Sequence, residues 1–516
     1  MSAHSGESTS IWMAETLPEF APLAGNERAD VCVVGAGMAG LSTAYLLTRA
    51  GKSVVVLDDG PIVSGETERT TAHLVNALDD RFFELERLHG HKGARLAAES
   101  HTAAIDTIER IVRENGIECD FARVDGYLFN APDAEPDLLD RELAAAHRAG
   151  LIDTLIVDRA PIGSFNTGRA LWFPRQAQFH PLKYLAALAK EIVRAGGKIF
   201  TGTHAREIAG GKQAHVGTTA GFVVSCDAIV VATNTPVNDR LAIHTKQRPY
   251  RTYVIGAAVP AGSVPQVLYW DTEDPYHYVR LQAATPASAG SFSDILIVGG
   301  EDHETGQADD AEARYARLEY WTRARFSMIG DIKFRWSGQI MEPVDALAFI
   351  GRNPIDHDNV FIATGDSGNG MTHGTIAGLL LTDLILGREN PWAELYNPSR
   401  VTLPATTDFL RDTANMAAQY VDWLTAGDIE KDRMVRPGTG AIVRHGLTKI
   451  TVYRDMDGTF HECSAICPHL GGIVAWNHGE KTWDCPAHGS RFDRLGKVLN
   501  GPANKNLHPV ESPENK

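Results

Sequence analysis

The sequence predicts an α/β chain that carries an inserted antiparallel sheet and ends in a small all-β module. Three observations carry this. An apolar run of strand length at 30–34 leads straight into Gly35-Ala-Gly37-Met-Ala-Gly40 and a helical pattern. Aromatic and aliphatic residues alternate within 246–334, as they do in strands with one covered face. Near the C-terminus, Cys467-Pro-His469 and Cys485-Pro-Ala-His488 follow two short strand-like runs.

A chain of 516 residues is expected to hold more than one domain. Its 43% hydrophobic and 22% charged residues are those of an ordinary globular protein. The net charge of −16 argues against nucleic acid or an anionic membrane as a partner. No basic segment followed by an apolar run opens the chain, and no apolar stretch reaches the ~18 residues of a membrane span. The six cysteines show no paired framework, which predicts a reducing, cytoplasmic setting.

Residues 1–27 lack periodicity and read as a tail over the main domain, with Ile11, Trp12 and Phe20 as possible anchors. After the glycine turn come a helix at 41–49, closed by Gly51, and a strand at 53–57 that ends in Asp58-Asp59. A strand–glycine turn–helix with an acid 23 residues after Gly35 is the dinucleotide fingerprint. Gly35, Gly37 and Gly40, with Met38 and Ala39, bring backbone close to a pyrophosphate at a helix N-terminus, and Asp58 is placed to accept from a ribose. The fingerprint alone does not separate FAD from NAD.

Another apolar strand at 228–234 ends in a small polar turn. A further one, at 359–365, leads into Asp366-Ser-Gly368-Asn-Gly370-Met-Thr372 and a helix at 375–386. With Trp336-Ser-Gly338 and Phe349-Ile-Gly351-Arg352, these pieces resemble the D-amino-acid-oxidase-like family of FAD-dependent oxidoreductases over about 28–390. The resemblance implies a Rossmann-like FAD-binding domain with an inserted antiparallel-sheet substrate domain, here about 125–175 and 246–334. It implies that Gly365, Gly368, Gly370, Met371 and Thr372 lie against the flavin, and that Thr70 and Thr71 line the loop approaching it. Some relatives attach flavin through a histidine, and the matching position here is Arg69. Others use a cysteine in the catalytic region, and none lies between Cys226 and Cys463. Non-covalent FAD is therefore expected.

In the insert, Tyr253, Tyr278 and Arg280 are substrate-site candidates. Tyr278 and Arg280 lie two apart and share a strand face. An arginine there suits a substrate carboxylate; the same residues equally suit packing against each other across a sheet. No catalytic acid or base is legible.

Residues 391–430 read as a linker: a proline-bearing connector, then an amphipathic helix at 408–425. Strands at 439–444 and 448–454 open the last module, 431–516, which ends in a polar tail. Cys467, His469, Cys485 and His488 form C-x-H and C-x-x-H pairs with fifteen residues between them. Such a Cys2His2 set suits a structural zinc or a two-iron cluster. One cysteine and one histidine in each half resembles the Rieske [2Fe-2S] family. High-potential members add a disulfide, but the matching positions here are Gly472 and Ala487. Ser490 is kept, with a hydroxyl able to reach a sulfur, whereas Phe492 replaces a frequent tyrosine. Fewer hydrogen bonds to sulfur predict a potential in the lower half of the roughly −150 to +300 mV Rieske range.

Together these features predict an FAD-dependent oxidoreductase acting on a small amine or amino acid. Hydride would pass to flavin, and the cluster would relay electrons singly to an external protein or quinone. The alternatives are a reductase driven by NAD(P)H or ferredoxin, a Rieske oxygenase, and a redox-sensing or structural protein. The first lacks a second fingerprint, since Val298-Gly299-Gly300-Glu301 has the wrong spacing. The second needs a mononuclear iron site, for which Glu86, His89 and His91 are the nearest cluster. The third would bury the cluster's histidines.

Overall fold

Val31–Val34 and Val54–Leu57 are buried at nearly every position, so they read as continuous apolar runs, as strands covered on both faces do. A computed structural model describes residues 5–238, 243–284, 294–405, 434–446 and 448–510, with 415, 419, 423, 425 and 427–429 between them. The linker helix expected at 408–425 and the tail at 512–516 fall outside the described residues, apart from those isolated positions. A six-stranded sheet runs in the order Phe349–Arg352, Val360–Thr364, Ala228–Val231, Val31–Val34, Val54–Leu57, Lys198–Phe200. It is parallel except at its first strand.

Two helices, Met38–Arg49 and Gly370–Ile385, pack against each other over this sheet. Their approach depends on glycine: a Cβ at Gly374 would sit 2.7 Å from Met38 Cγ, and one at Gly378 would sit 2.9 Å from Ser42 Cβ. Both helices follow strands of the one sheet, and residues of both N-terminal turns open onto one cavity.

The inserted sheet has nine strands. Gln247–Val259 pairs antiparallel with both Ile332–Pro343 and Asp294–Glu304, which also pairs with Tyr278–Gln282. The expected antiparallel character holds except where Leu268–Asp271 pairs parallel with Ala122–Phe129. The helix Ala311–Arg325 covers part of the sheet through Tyr315, Leu318 and Trp321. The 298–301 glycine pair lies inside strand Asp294–Glu304 and opens no helix.

The N-terminal segment is anchored as expected at Trp12, which is fully buried. Its Nε1 donates to Thr70 O at 2.6 Å, and the Arg280 guanidinium lies 5.3 Å from its ring centre. No helix among the described residues is long and apolar enough to cross a membrane.

The C-terminal module comprises a three-stranded sheet, Thr439–His445, Thr448–Arg454 and Phe460–Ser464, and a four-stranded sheet spanning 475–500. A buried ionic network joins it to the rest of the chain. Arg69 reaches Glu480 at 3.4 Å, and Arg251 reaches Asp484 at 3.9 Å. Arg491 reaches Asp484 at 3.2 Å and Glu66 at 3.5 Å. Ser8 N donates to Glu480 at 3.0 Å, and the Ser8 and Ser337 hydroxyls also bond that carboxylate. Burial pushes the Glu480 carboxyl upward, but Arg69, Arg251 and Arg491 together hold it down at about 2. Each such ion unpaired would cost several kcal/mol, so the network is stable only as a set.

Candidate active site and cluster site

The glycine turn after Val31–Val34 holds Gly35 at φ +105°, and a Cβ there would run into the Ala232 carbonyl of the neighbouring strand. Only glycine allows that approach. The turn borders a cavity of about 300 Å³. Gly35, Gly37, Met38, Ala39, Asp58, Thr70, Thr71, Gly365, Gly368, Gly370 and Met371 all line it. Asp58 accepts from Ala36 N at 2.7 Å and Gly60 N at 2.9 Å, which leaves further lone pairs for a sugar hydroxyl. Burial, and then the neighbouring Asp59, push its carboxyl up to about 7.

Four expected site residues do not reach the cavity. Gly40 packs against the turn itself, where a Cβ would strike the Gly35 carbonyl. The Thr372 hydroxyl donates to Asn369 O at 3.1 Å and pairs with His101 Nδ1 at 2.9 Å, so it serves the helix start. Tyr253 is buried between His303, stacked at 5.7 Å, and Tyr315 at 5.1 Å. Arg280 is fully buried and donates to the carbonyls of Thr71, Ala72 and Phe179 at 3.0–3.2 Å. Its Nη1 holds the loop that carries Thr71 and its Nη2 donates to Gln282 Oε1 at 2.6 Å, so the guanidinium expected as a carboxylate clamp does not line the cavity. Tyr278 does line the cavity, with its hydroxyl 2.6 Å from Thr252 Oγ1.

Several lining residues were not foreseen. Thr67 Oγ1 accepts from Met38 N at 3.2 Å, capping the first helix. Residues 497–501, 503 and 504 of the C-terminal module close the Asp58 end, where Asn504 Nδ2 donates to Ala205 O at 3.1 Å. At the opposite end, Trp270, Tyr276, Tyr278, Asp79 and Asp302 form a chamber beside Gly368. Asp79 accepts from Tyr276 Oη at 3.1 Å, and burial raises it to about 6. Burial raises Asp302 to about 7. His73, also lining, is pushed down to about 3 by burial and by Arg280, and is therefore neutral.

The four cluster-type residues sit on two matching loops. Cys467 N donates to Gly472 O at 2.8 Å, and Cys485 N to Ser490 O at 2.8 Å. The His469 and His488 rings meet edge to face at 5.0 Å, and the Ser490 hydroxyl bonds the Cys467 sulfur while accepting from Ala503 N at 3.0 Å. A Cβ on Gly472 would stand 3.3 Å from Ala487 Cβ, so these two positions face each other without a bridge. Two thiols and two imidazoles converging from opposed loops fit a [2Fe-2S] cluster, and a cavity edged by glycines of two helix N-terminal turns fits a flavin dinucleotide.

His488 is 4% exposed and His469 is half-buried. Burial of this kind was the mark of a sensing or structural role. What covers them is His244, from the flavin-binding half, with ring centres 4.8 Å from His469 and 6.2 Å from His488. The histidine edge thus faces the other half of the molecule. Gln339, a cavity-lining residue, donates to Gly489 O at 3.0 Å, one residue from His488.

The candidate mononuclear iron cluster does not form. His89 Nε2 bonds Asp345 O at 2.7 Å, while His91 pairs with Glu86 at the surface. Among the described residues Asp271, Glu273 and His277 do converge, but they offer one histidine instead of two, and Arg325 pairs with Glu273 at 2.8 Å.

The family described as FAD dependent oxidoreductase matches residues 30–384, and the Rieske [2Fe-2S] domain matches 426–511. YhfW of Bacillus subtilis (strain 168), named as a Rieske 2Fe-2S iron-sulfur protein, is 33% identical over 97% of both chains. The gamma-glutamylputrescine oxidoreductase of Escherichia coli (strain K12) is 27% identical over 74% of this chain and 90% of its own. The glycine oxidase structure from Geobacillus kaustophilus superposes with a TM-score of 0.61 at 18% identity, covering 73% of this chain and all of that one.

Proposed function

Because the chain belongs to the FAD dependent oxidoreductase family and carries a Rieske [2Fe-2S] domain, we propose that it oxidises a small amine or amino acid and relays the electrons internally to an external one-electron acceptor. Bound FAD supplies two-electron acceptance of a hydride and the cluster supplies single-electron transfer. The chain's own residues position these groups. Gly35, Gly37, Met38 and Ala39 would cradle the pyrophosphate, Asp58 would take the ribose, and Gly365, Gly368, Gly370 and Met371 would border the ring. Cys467, Cys485, His469 and His488 hold the cluster. No covalent flavin link is expected: Arg69 stands where some relatives carry a linking histidine, and the four cysteines other than Cys467 and Cys485 are buried and do not line the cavity. Those buried thiols suit a reducing cytoplasm.

The observation that carries the relay is the Gln339–Gly489 hydrogen bond, which sets the cluster loop against the flavin cavity. Anaerobic incubation with amines, amino acids, NADH and NADPH tests the reading. An amine or amino acid should bleach the flavin absorbance, and bleaching by NADH or NADPH alone would make the chain a reductase.

The cluster potential is expected in the lower half of the roughly −150 to +300 mV range, since Phe492 offers no phenol. Ser490→Ala removes a donor to Cys467 and should lower it further, as read by redox titration followed by electron paramagnetic resonance. A rise would contradict the role given to that hydroxyl.

A further inference from the structure

We infer that the chamber beside Gly368 selects an organic ammonium that carries no carboxylate near its nitrogen, with Asp79 and Asp302 as the groups that recognise the cation. The inference rests on the amine-or-amino-acid reading above and narrows it.

Charge on the chamber wall is one-sided. Asp79 and Asp302 line it, together with Trp270, Tyr276 and Tyr278. Asp302 Oδ1 is shut off from solvent and has no hydrogen-bond partner among the described residues. A desolvated carboxylate oxygen in that state is unfavourable until a cation or donor meets it. Asp79 is tied to the flavin-side turn, since a Cβ on Gly368 would lie 2.8 Å from its Oδ2, and to the roof through Tyr276. It therefore spans the space between turn and roof.

Among the described residues the only lysine or arginine side chains lining the cavity are Arg69 and Lys497; Arg81 offsets Asp79 in part, and His277 and Arg314 offset Asp302 in part, from outside the lining. Arg280 lies outside the lining, with Nη1 on backbone carbonyls and Nη2 on Gln282, and Arg69 Nη1 is engaged by Glu480 and Ser337. Lys497 joins the lining from the C-terminal module, and His73 is neutral. A carboxylate entering here would face two carboxylates with no cation to hold it. An alkylammonium would meet two anions and aromatic faces, the surroundings that favour a cation. Oxidation of such an amine removes a hydride from the carbon next to nitrogen and a proton from nitrogen. Water then converts the resulting imine to an aldehyde and ammonia.

A matched pair of probes separates recognition from turnover. tert-Butylammonium and pivalate share a shape and differ in the sign of their charge, and neither has a hydrogen on the carbon bearing its charged group. Each would be titrated into the flavin-loaded protein and followed by perturbation of the flavin absorption. tert-Butylammonium is expected to bind and pivalate is not. Asp302→Asn and Asp79→Asn should each weaken the cation by ~10–100-fold. Tighter binding of pivalate, or no response to the cation, overturns the inference. Anaerobic reduction distinguishes the two levels of the account. If glycine bleaches the flavin and butylamine does not, the substrate class is wrong and carbon–nitrogen oxidation stands. If tert-butylammonium binds but only NADPH bleaches the flavin, the parent reading fails while the cation site remains.

Discussion

Cys485→Ser abolishes the [2Fe-2S] resonance signal, leaves substrate-driven bleaching of the flavin in place, and cuts electron delivery to a one-electron acceptor by ~10²–10⁴-fold. The expectation follows from the separation of the two sites. Cys485 belongs to the loop closed by its own N–H···O bond to Ser490, and it does not line the cavity. Its loss leaves the glycine cradle, Asp58 and the chamber untouched. What disappears is the partner held beside the cavity at high effective concentration, so an acceptor must then meet the flavin by collision. Spectrophotometry of the flavin and acceptor reduction, run in parallel, check both halves. Undiminished acceptor reduction would show that the cluster is not on the electron path.

The second large effect is expected from Glu480→Gln. This change keeps shape and removes one negative charge from a buried set that also holds Arg69, Arg251 and Arg491. Breaking a buried ion pair from one side costs about 3–5 kcal/mol. Because two domains share the network, unfolding need not be two-state, and the shift belongs to the transition that frees the C-terminal module. Denaturant titration followed by loss of the cluster's visible absorption, whose four ligand residues all lie in that module, would report it. The sign with pH is fixed by the direction of the shift. Glu480 is held at about 2, so its contribution is complete above the ordinary glutamate range and fades as pH falls toward that value. Glu480→Gln should therefore differ most from wild type at neutral pH and converge with it in acid.

What the sequence revealed and what it hid divide along chain distance. The turn Gly35–Gly40, the strands on each side of it and the two cysteine–histidine loops are local patterns, and local sterics and ligand chemistry fix them. The roles of Arg280, Tyr253, Asp79 and Asp302 depend on which strands pair. Arg280 looked like a substrate clamp because its strand register was visible, whereas the Thr71, Ala72 and Phe179 carbonyls that absorb it come from elsewhere in the chain. Arg69 was read only as the position of an absent flavin link. Its partner Glu480 lies 411 residues away, and no periodicity announces such a pair. The closure of the Asp58 end by 497–504 was hidden for the same reason.

The most direct test of an internal relay is a single-turnover experiment without oxygen or external acceptor. The reducing amine is mixed with the protein, flavin absorbance is followed by stopped flow, and the reduced cluster is followed by freeze-quench electron paramagnetic resonance. The cluster signal is expected to rise after flavin bleaching, at a rate that does not change with protein concentration. A cluster that stays oxidised, or a rise that quickens in proportion to protein concentration, would contradict it.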